Sequence, residues 1–410
     1  MVKKTSNKNI NNLKPNYFYW FVYNIASKVV MTFKNGYKCD KKEFKMNNNK
    51  EGCLLVYNHV SNMDHFASTA ALTRHMHYVI SKFFYFNKLL SHLLNGVKAL
   101  PKDQFSADMA SIKLMKRAIE NKKIVAIAPA GQITVHGGMI FIDPAIVKLV
   151  RLCKANVFAI QIRGNYLSYP KWSLAKRKAK VRTKFITVIK KEEISLLSDE
   201  EIYNRICDSI NVNDIKEQEV NKIKIKSKSR AAGIENILYV CPKCQSKFKI
   251  VSEKHHFWCT ECNNKVYFNE YGIMEAASEN NVRFISEEEW YKWETQLLYR
   301  QIEEGTLHLE RECTLHRNIN EKWKMDEYAK GKIILTKDQF YFEGVDNLGN
   351  PYRKDFNLER IFQLPWKPNI HFEITGDEEG KFKVTCDNMT NAVVEFVQAI
   401  DALRVYNHKK

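Results

Sequence analysis

The sequence predicts an α/β fold with a mixed sheet flanked by helices, then a small four-cysteine module and a C-terminal β-rich domain closed by a helix. From residue 52 to about 215, short apolar runs alternate with helical patterns, the order that builds a parallel or mixed sheet. Two Cys-x-x-Cys pairs follow within 241–262. In the C-terminal part, apolar segments are separated by Asp, Asn and Gly turns, which is typical of antiparallel strands.

The composition is that of a globular protein with two or three domains. Hydrophobic residues make up 45% of the 410 residues and charged residues 27%, which excludes a disordered chain. Ten cysteines are too few for a disulfide scaffold. Neither a long uninterrupted apolar run nor an apolar stretch directly after MVKKTSNKNI is present, so we expect no conventional spanning helix and no cleavable signal peptide. These features predict a cytoplasmic protein.

The two halves of the chain differ in charge. Residues 1–230 contain 41 Lys and Arg against 17 Asp and Glu, whereas residues 231–410 contain 24 against 29. A basic half favours an anionic partner: a phospholipid surface, a phosphorylated small molecule or nucleic acid. Biased coding would explain some of the lysines but not the contrast between the halves.

The segment 1–34 is predicted to be helical and to lie at a membrane surface. Its core, residues 17–33, has aromatic residues at the front and is interrupted by Asn24, Ser27 and Lys28. Aromatic rings with polar tips favour the water–hydrocarbon interface, so an in-plane helix fits better than a span. A helix packed in the protein core fits the sequence equally well.

Residues 35–215 are expected to form the α/β domain. Buried strands are predicted at four short apolar runs: 52–58, 77–81, 124–129 and 156–162. Helices are predicted at 63–76, 106–122, 144–153 and 198–210. Ser198 and Glu201 have the spacing of a capping box at the start of the last helix.

Three further regions are predicted downstream. Residues 216–236 are charged and low in complexity, which indicates a basic linker. Residues 237–274 hold the cysteine pairs, and residues 275–410 combine a helix with antiparallel strands and a closing C-terminal helix.

The candidate catalytic motif is the run 58–64, NHVSNMD, directly after the first buried strand. An imidazole such as that of His59 accepts a proton near neutral pH, and a carboxylate on its other nitrogen fixes the tautomer. Residues five apart on one helix point about 140° apart, so His59 and Asp64 can meet only across a strand-to-helix turn. The spacing alone is common, and a His and Asp that never touch would also produce it.

In this context the run resembles the first motif of the glycerolipid acyltransferase family, which includes the 1-acyl-glycerol-3-phosphate acyltransferases. The family pattern N-H-x-S-x-x-D is matched at Asn58, His59, Ser61 and Asp64. The resemblance covers roughly residues 15–215. It implies an acyltransferase-like fold, His59 as general base on an acceptor hydroxyl with Asp64 supporting it, and Asn58 and Ser61 in the substrate site. It also implies an acyl thioester of coenzyme A or acyl carrier protein as the donor.

The later motifs of the family are altered in this sequence. The second, a Gly followed by a phosphate-binding Arg, is matched at Gly96 and Lys102, and Lys binds phosphate without the bidentate fork of Arg. The fourth, an apolar strand, corresponds to residues 157–160 without its Pro.

The third motif, F-P-E-G-T-R in the family, corresponds to residues 128–133, APAGQI. Pro129 and Gly131 match, and Gln132 follows them in the substrate-binding turn that the resemblance implies. The family's Glu and Arg help to hold a glycerol phosphate acceptor, so their absence leaves the acceptor open. Candidate replacements are His136, Lys98 and Arg163.

The four-cysteine module is predicted to bind zinc. Cys241 and Cys244, then Cys259 and Cys262, supply four thiolates, the ligand set of a closed tetrahedral Zn²⁺ site. A closed site has no open coordination position, so the zinc would be structural. Two disulfides would be the alternative, and they conflict with a cytoplasmic location.

A basic cluster lies at residues 171–184, where seven of the 14 residues are Lys or Arg, beside Trp172. It could dock on anionic lipid headgroups or steer the phosphates of coenzyme A. A solvated basic loop and a nucleic-acid contact are the other interpretations.

The sequence thus predicts a membrane-associated O-acyltransferase that moves an acyl group from a thioester donor to the hydroxyl of a glycerolipid or lysophospholipid. Its expected partners are an anionic membrane surface on the inner face of the cell membrane, the donor (with acyl carrier protein as one carrier) and the lipid acceptor, and nucleic acid is not expected. The alternative is a catalytically inactive lipid- or nucleic-acid-binding protein that uses the zinc ribbon for partner contacts.

Overall fold

The computed structural model describes residues 13–46, 50–103, 108–317, 325–377, 380–387 and 390–408. Within these ranges the chain folds into a mixed α/β domain, a small cysteine-bearing sheet and a larger antiparallel sheet closed by a helix. The fold class predicted from the sequence is confirmed.

The first sheet contains seven strands, in the order β1-β7-β6-β2-β5-β3-β4. Its strands are β1 Lys38–Asp40, β2 Cys53–Tyr57, β3 Met76–Ser81, β4 Leu100–Lys102, β5 Ile124–Ile127, β6 Val157–Arg163 and β7 Arg182–Ile189. All described neighbouring pairs are parallel except β6 and β7. The carboxyl ends of β2, β5, β3 and β4 therefore lie at one edge, where the predicted motifs follow the strands.

Helices cover both faces of this sheet. They are α1 Tyr17–Asn35, α2 Lys42–Met46, α3 Asp64–Ala71, α4 Lys88–Gly96, α5 Met109–Glu120, α6 Ala145–Cys153, α7 Asn165–Ser168 and α8 Asp199–Ile210. Leu54 and Val56 of β2 pack in one hydrophobic cluster with α5, α6 and α8, whereas Leu55 packs in another with α1 and α3. Because alternate side chains point to opposite faces, every residue of β2 is buried.

Most of the predicted elements are confirmed. The four predicted strands correspond to β2, β3, β5 and β6. At the start of α8, Ser198 Oγ accepts from the Glu201 amide at 3.1 Å and Glu201 Oε2 accepts from the Ser198 amide at 2.7 Å, which completes the capping box. Residues 106 and 107, the first two of one predicted helix, lie outside the described residues.

The cysteine-bearing module is a four-stranded antiparallel sheet in the order β11-β10-β9-β8. Its strands are β8 Ile250–Glu253, β9 His256–Cys259, β10 Lys265–Phe268 and β11 Met274–Ala276. It follows the short helix α9 Gln218–Asn221 and precedes the longer helix α10 Glu287–Glu303.

The C-terminal domain is a seven-stranded antiparallel sheet in the order β15-β14-β13-β12-β18-β17-β16. Its strands are β12 His308–Arg317, β13 Asp326–Thr336, β14 Phe340–Asp346, β15 Pro351–Phe356, β16 Trp366–Lys367, β17 His371–Asp377 and β18 Gly380–Cys386. Helix α11, Val393–His408, closes it and packs against α10.

Segment 216–236, for which a linker is predicted, is anchored to its surroundings rather than solvated. Ile225, Ala231 and Ile234 are buried, and Lys226 exchanges two backbone hydrogen bonds of 2.9 Å with Lys178. In the alternating Lys-Ile pattern of 222–226, the isoleucines are more buried than the neighbouring lysines. The high charge of the segment predicts a linker, although its buried apolar residues attach it to the rest of the protein.

Candidate active site and cysteine cluster

His59 and Asp64 meet across the turn between β2 and α3. His59 Nδ1 lies 2.9 Å from Asp64 Oδ2. Asp64, the first residue of α3, is fully buried, whereas the His59 side chain is 25% exposed. The imidazole therefore has one edge against a buried carboxyl group and retains access to solvent.

The other hydrogen bonds of Asp64 define its state. Oδ2 also accepts from the Val60 amide at 2.7 Å and the Ser61 amide at 2.9 Å, and Oδ1 accepts from Asn165 Nδ2 at 2.8 Å. Such a set of N–H donors stabilises an ionised carboxylate, which can only accept. His59 Nδ1 therefore donates to Asp64, and in the neutral imidazole the lone pair is then on Nε2.

Asn165 was not predicted from the sequence. It is the first residue of α7, separated from the end of β6 by Gly164, and its side chain is buried. No local motif marks it, since it is 101 positions from Asp64 in the chain. A polar residue at the end of a buried strand next to β2 is the one signal that could have indicated it.

Asn58 and Ser61, predicted in the substrate site, have their polar side-chain atoms in internal hydrogen bonds. Asn58 bonds both backbone groups of Ile162, at 2.8 and 2.7 Å, and so ties β2 to β6. Ser61 Oγ accepts from the Met63 amide at 2.9 Å, within the turn that carries His59. Both side chains are buried, so the structure places them as supports of the turn.

The third-motif residues Pro129, Gly131 and Gln132 lie in the turn after β5, the parallel neighbour of β2. Gly131 has a φ of 69° there, a conformation that L side chains rarely adopt. Three residues after Gly131, the Thr134 amide donates to the His59 carbonyl at 3.0 Å. This hydrogen bond connects the chain after the third-motif turn to the turn that carries His59.

The second-motif residues lie further away. Lys102 ends β4, at the same edge of the sheet but three strands from β2, or about 14 Å at the usual strand spacing. Gly96 ends α4 against α1, where an added Cβ would lie 2.1 Å from Tyr19 Cδ2. Gly96 therefore serves helix packing, and the structure does not bring it to His59.

The three candidate replacements for the missing Glu and Arg lie in different surroundings. His136 is buried against the Tyr291 ring at 4.9 Å, and burial lowers its pKa to about 4, so it is neutral. Arg163 is paired with Glu217. Lys98 lies in the turn after α4, where its carbonyl accepts from His77.

One family model, described as Acyltransferase, matches residues 38–163. The matched range contains β2, the His59–Asp64 pair and the turn at 129–132. The α/β domain is an acyltransferase domain. The match to this family model does not identify the acceptor of the acyl group.

Among solved structures, the chain is similar to the 1-acyl-sn-glycerophosphate acyltransferase of Thermotoga maritima. The two are 15% identical, and the match covers 47% of this chain and 76% of that chain with a TM-score of 0.40. No curated protein sequence matches the chain.

Outside the acyltransferase domain, the four predicted cysteines form one cluster. Their sulfur atoms all lie within 4.8 Å of one another, with Cys241–Cys262 at 3.6 Å and Cys244–Cys259 at 3.7 Å. Four thiolates around Zn²⁺ at about 2.3 Å require sulfur–sulfur distances of about 3.8 Å. The donor set and its spacing therefore fit a tetrahedral metal site.

The predicted basic cluster at 171–184 is divided between interior and surface. Lys171 bonds the Trp366 carbonyl, and Arg177 is buried with its guanidinium 5.2 Å from the Trp172 ring centre. Lys171 thus connects the acyltransferase domain to the C-terminal domain, whereas Arg177 packs on a Trp of its own domain. The exposed cations of the cluster are Lys176, Lys178, Lys180 and Lys184.

Proposed function

We propose that the protein is a membrane-associated O-acyltransferase that transfers an acyl group from a thioester donor to the hydroxyl of a glycerolipid or lysophospholipid. The hydrogen bond between His59 Nδ1 and the buried Asp64 carboxylate carries the proposal. It leaves Nε2 of a partly exposed imidazole as a base, inside a domain of the acyltransferase family.

In the proposed mechanism, His59 Nε2 takes the proton of the acceptor hydroxyl as the oxygen attacks the thioester carbonyl. Asp64 holds the imidazole in the required tautomer and stabilises the imidazolium that forms. Collapse of the tetrahedral intermediate breaks the carbon–sulfur bond, and the leaving thiolate takes the proton back from His59. Products are the acyl ester and the free thiol.

Membrane association is supported by α1, whose exposed face is apolar. Phe18, Phe21, Ile25, Val29 and Phe33 are all at least 45% exposed, and at 100° per residue they form one stripe. The buried face contains the polar Asn24 and Ser27. Such an inverted pattern suits a helix lying in the headgroup region. No helix in the described part of the chain has the length and apolar character needed to cross a bilayer.

The cysteine cluster is proposed to hold a structural Zn²⁺, because all four ligands come from the protein and no coordination position is left for a substrate. The exposed lysines within 176–184 are proposed to attract anionic headgroups or the phosphates of coenzyme A.

The test is acyl transfer by the purified protein, followed by mass spectrometry. Acyl-coenzyme A and acyl carrier protein donors would be combined with glycerol 3-phosphate, lysophosphatidate, other lysophospholipids and lysoglycolipids. We expect a new acylated product, and a loss of about 10²- to 10⁴-fold in kcat for His59→Ala and Asp64→Asn. His308→Ala, at an exposed histidine of β12, is the matched control. Undiminished transfer by His59→Ala would refute the mechanism.

A further inference from the structure

A cleft of about 400 Å³ lies between the acyltransferase domain and the C-terminal domain. One wall is the chain that follows the third-motif turn, residues 132–136 and 139–141. The opposite walls come from α10, α11 and the segment around Trp366. These three elements lie outside residues 38–163, so the matched family accounts for only one side of the cleft.

Most of the cleft wall is apolar. Its side chains include Ile140, Phe141, Trp366, Val397 and Val405. Moving the methylene groups of a hydrocarbon chain from water onto such a wall is favourable. Size and lining are those of a pocket for a ligand with a long hydrocarbon part.

Two polar atoms of the same wall are left unsatisfied. Gln132 Oε1 and Thr134 Oγ1 are buried and have no hydrogen-bond partner in the described part of the chain. Leaving a buried polar group without a hydrogen-bond partner is unfavourable, so both atoms favour a ligand with a polar group here. The Thr134 amide bonds the His59 carbonyl, which puts this polar part of the wall beside the catalytic turn.

We propose that the cleft binds the acceptor lipid, with its hydrocarbon chain along residues 139–141, Trp366 and the apolar side chains of α11 and its polar part at Gln132 and Thr134. The inference rests on the proposed function and deepens it. In that mechanism His59 acts on a hydroxyl, and the hydroxyl belongs to the acceptor rather than to the donor. The C-terminal domain is then a part of the acceptor site.

Photolabelling of the full-length protein tests this without requiring turnover. Two probes would carry a diazirine at the end of a palmitoyl chain: a lysophosphatidate and an acyl-coenzyme A. We expect the lysophosphatidate to label peptides of α10, α11 and residues 139–141, and excess unlabelled lysophosphatidate to abolish the labelling.

Variants that fill the cleft provide the second arm. Thr295→Trp and Val405→Trp, both at partly exposed positions of the wall, should lose the labelling. Val345→Trp, at a position of β14 outside the cleft with 48% exposure against 44% for Val405, should retain it. Labelling of these peptides by the acyl-coenzyme A alone, or by neither probe, would overturn the proposal. Labelling without acyl transfer to any acceptor of the panel would leave lipid binding in the cleft standing and count against the proposed enzyme instead.

Discussion

At the scale of single residues, the candidate site depends on the buried carboxyl group of Asp214, which holds the turn before Asn165. Asp214 Oδ2 accepts from the Gly164 amide at 2.8 Å, and Gly164 directly precedes Asn165, the partner of Asp64. Gly164 has a φ of 82°, and an added Cβ would lie 2.0 Å from the Lys180 carbonyl oxygen, so only glycine fits there. Asp214 thus fixes the turn that presents Asn165.

Asp214 should make stability fall as the pH rises. Burial raises its pKa from 3.8 to about 7, so between these values the folded state binds more protons than the unfolded state. Its contribution is complete below about pH 4 and is lost as the pH rises through about 7. We expect the wild-type free energy of unfolding, measured in urea, to fall more between pH 5 and pH 8 than that of Asp214→Asn. Parallel curves for the two proteins would contradict this.

The residues of the site differ in how far the sequence could reveal them. His59 and Asp64 were predictable because one short local motif contains both. The turn between β2 and α3 brings their side chains within hydrogen-bond distance. Asn165 and Asp214 were not, because each reaches the site through long-range contacts made by the fold. The predicted role of Gly96 depended on spacing alone, and its real neighbour, Tyr19, comes from a different helix.

At the scale of elements, α1 is the one whose environment the sequence left open. The structure buries a mixed stripe of Trp20, Asn24, Ser27, Met31 and Asn35 and exposes an apolar stripe, whereas an ordinary surface helix exposes its polar face. Amphipathic periodicity predicts the helix but not which face meets the protein. That choice is made by contacts such as those of Asn24, whose amide donates to the Thr69 and Leu72 carbonyls.

If α1 lies in the membrane interface, its exposed aromatic residues should control vesicle binding. Phe21→Ser and Phe33→Ser should each weaken binding to vesicles of phosphatidylglycerol and phosphatidylcholine by roughly 10- to 100-fold, since burying a Phe is worth about 1.5–3 kcal/mol. Sedimentation with the vesicles would measure it. Leu348→Ser, at an 86% exposed site in the turn between β14 and β15, is the control and should bind as the wild type does. Equal vesicle binding by all four proteins would show that α1 does not lie in the membrane interface.

At the scale of the whole molecule, the cysteine module and the C-terminal domain share one hydrophobic cluster that also includes Val135 and Trp172 of the acyltransferase domain. Helix α10 is central to this arrangement. Its Glu294 accepts from the Tyr239 and Val240 amides at 2.7 and 2.8 Å, just before the first cysteine, and from Gln398 of α11 at 3.1 Å. Its Tyr291 packs on His136. The alternation of strands and helices predicts the separate domains, but the contacts between them involve residues far apart in sequence.

Metal removal should therefore loosen more than the cysteine module. Without zinc, the four thiolates no longer hold the chain after Val240, and the hydrogen bonds of Glu294 lose a fixed partner. We expect a chelator to release one zinc per chain and to speed amide exchange in residues 239–268 and in α10, with β2 and β5 unchanged, and added zinc to reverse this.

Cys262→Ser should reproduce the effect of the chelator, because it removes one ligand of the cluster. Cys39→Ser, at a half-buried cysteine outside the cluster, should exchange as the wild type does. Faster exchange confined to the cysteine module would show that the contacts of α10 with the other two domains are enough to hold it. The proposed acceptor cleft, which α10 lines, would then be independent of the metal. Faster exchange in α10 as well would show that the structure of this cleft requires zinc.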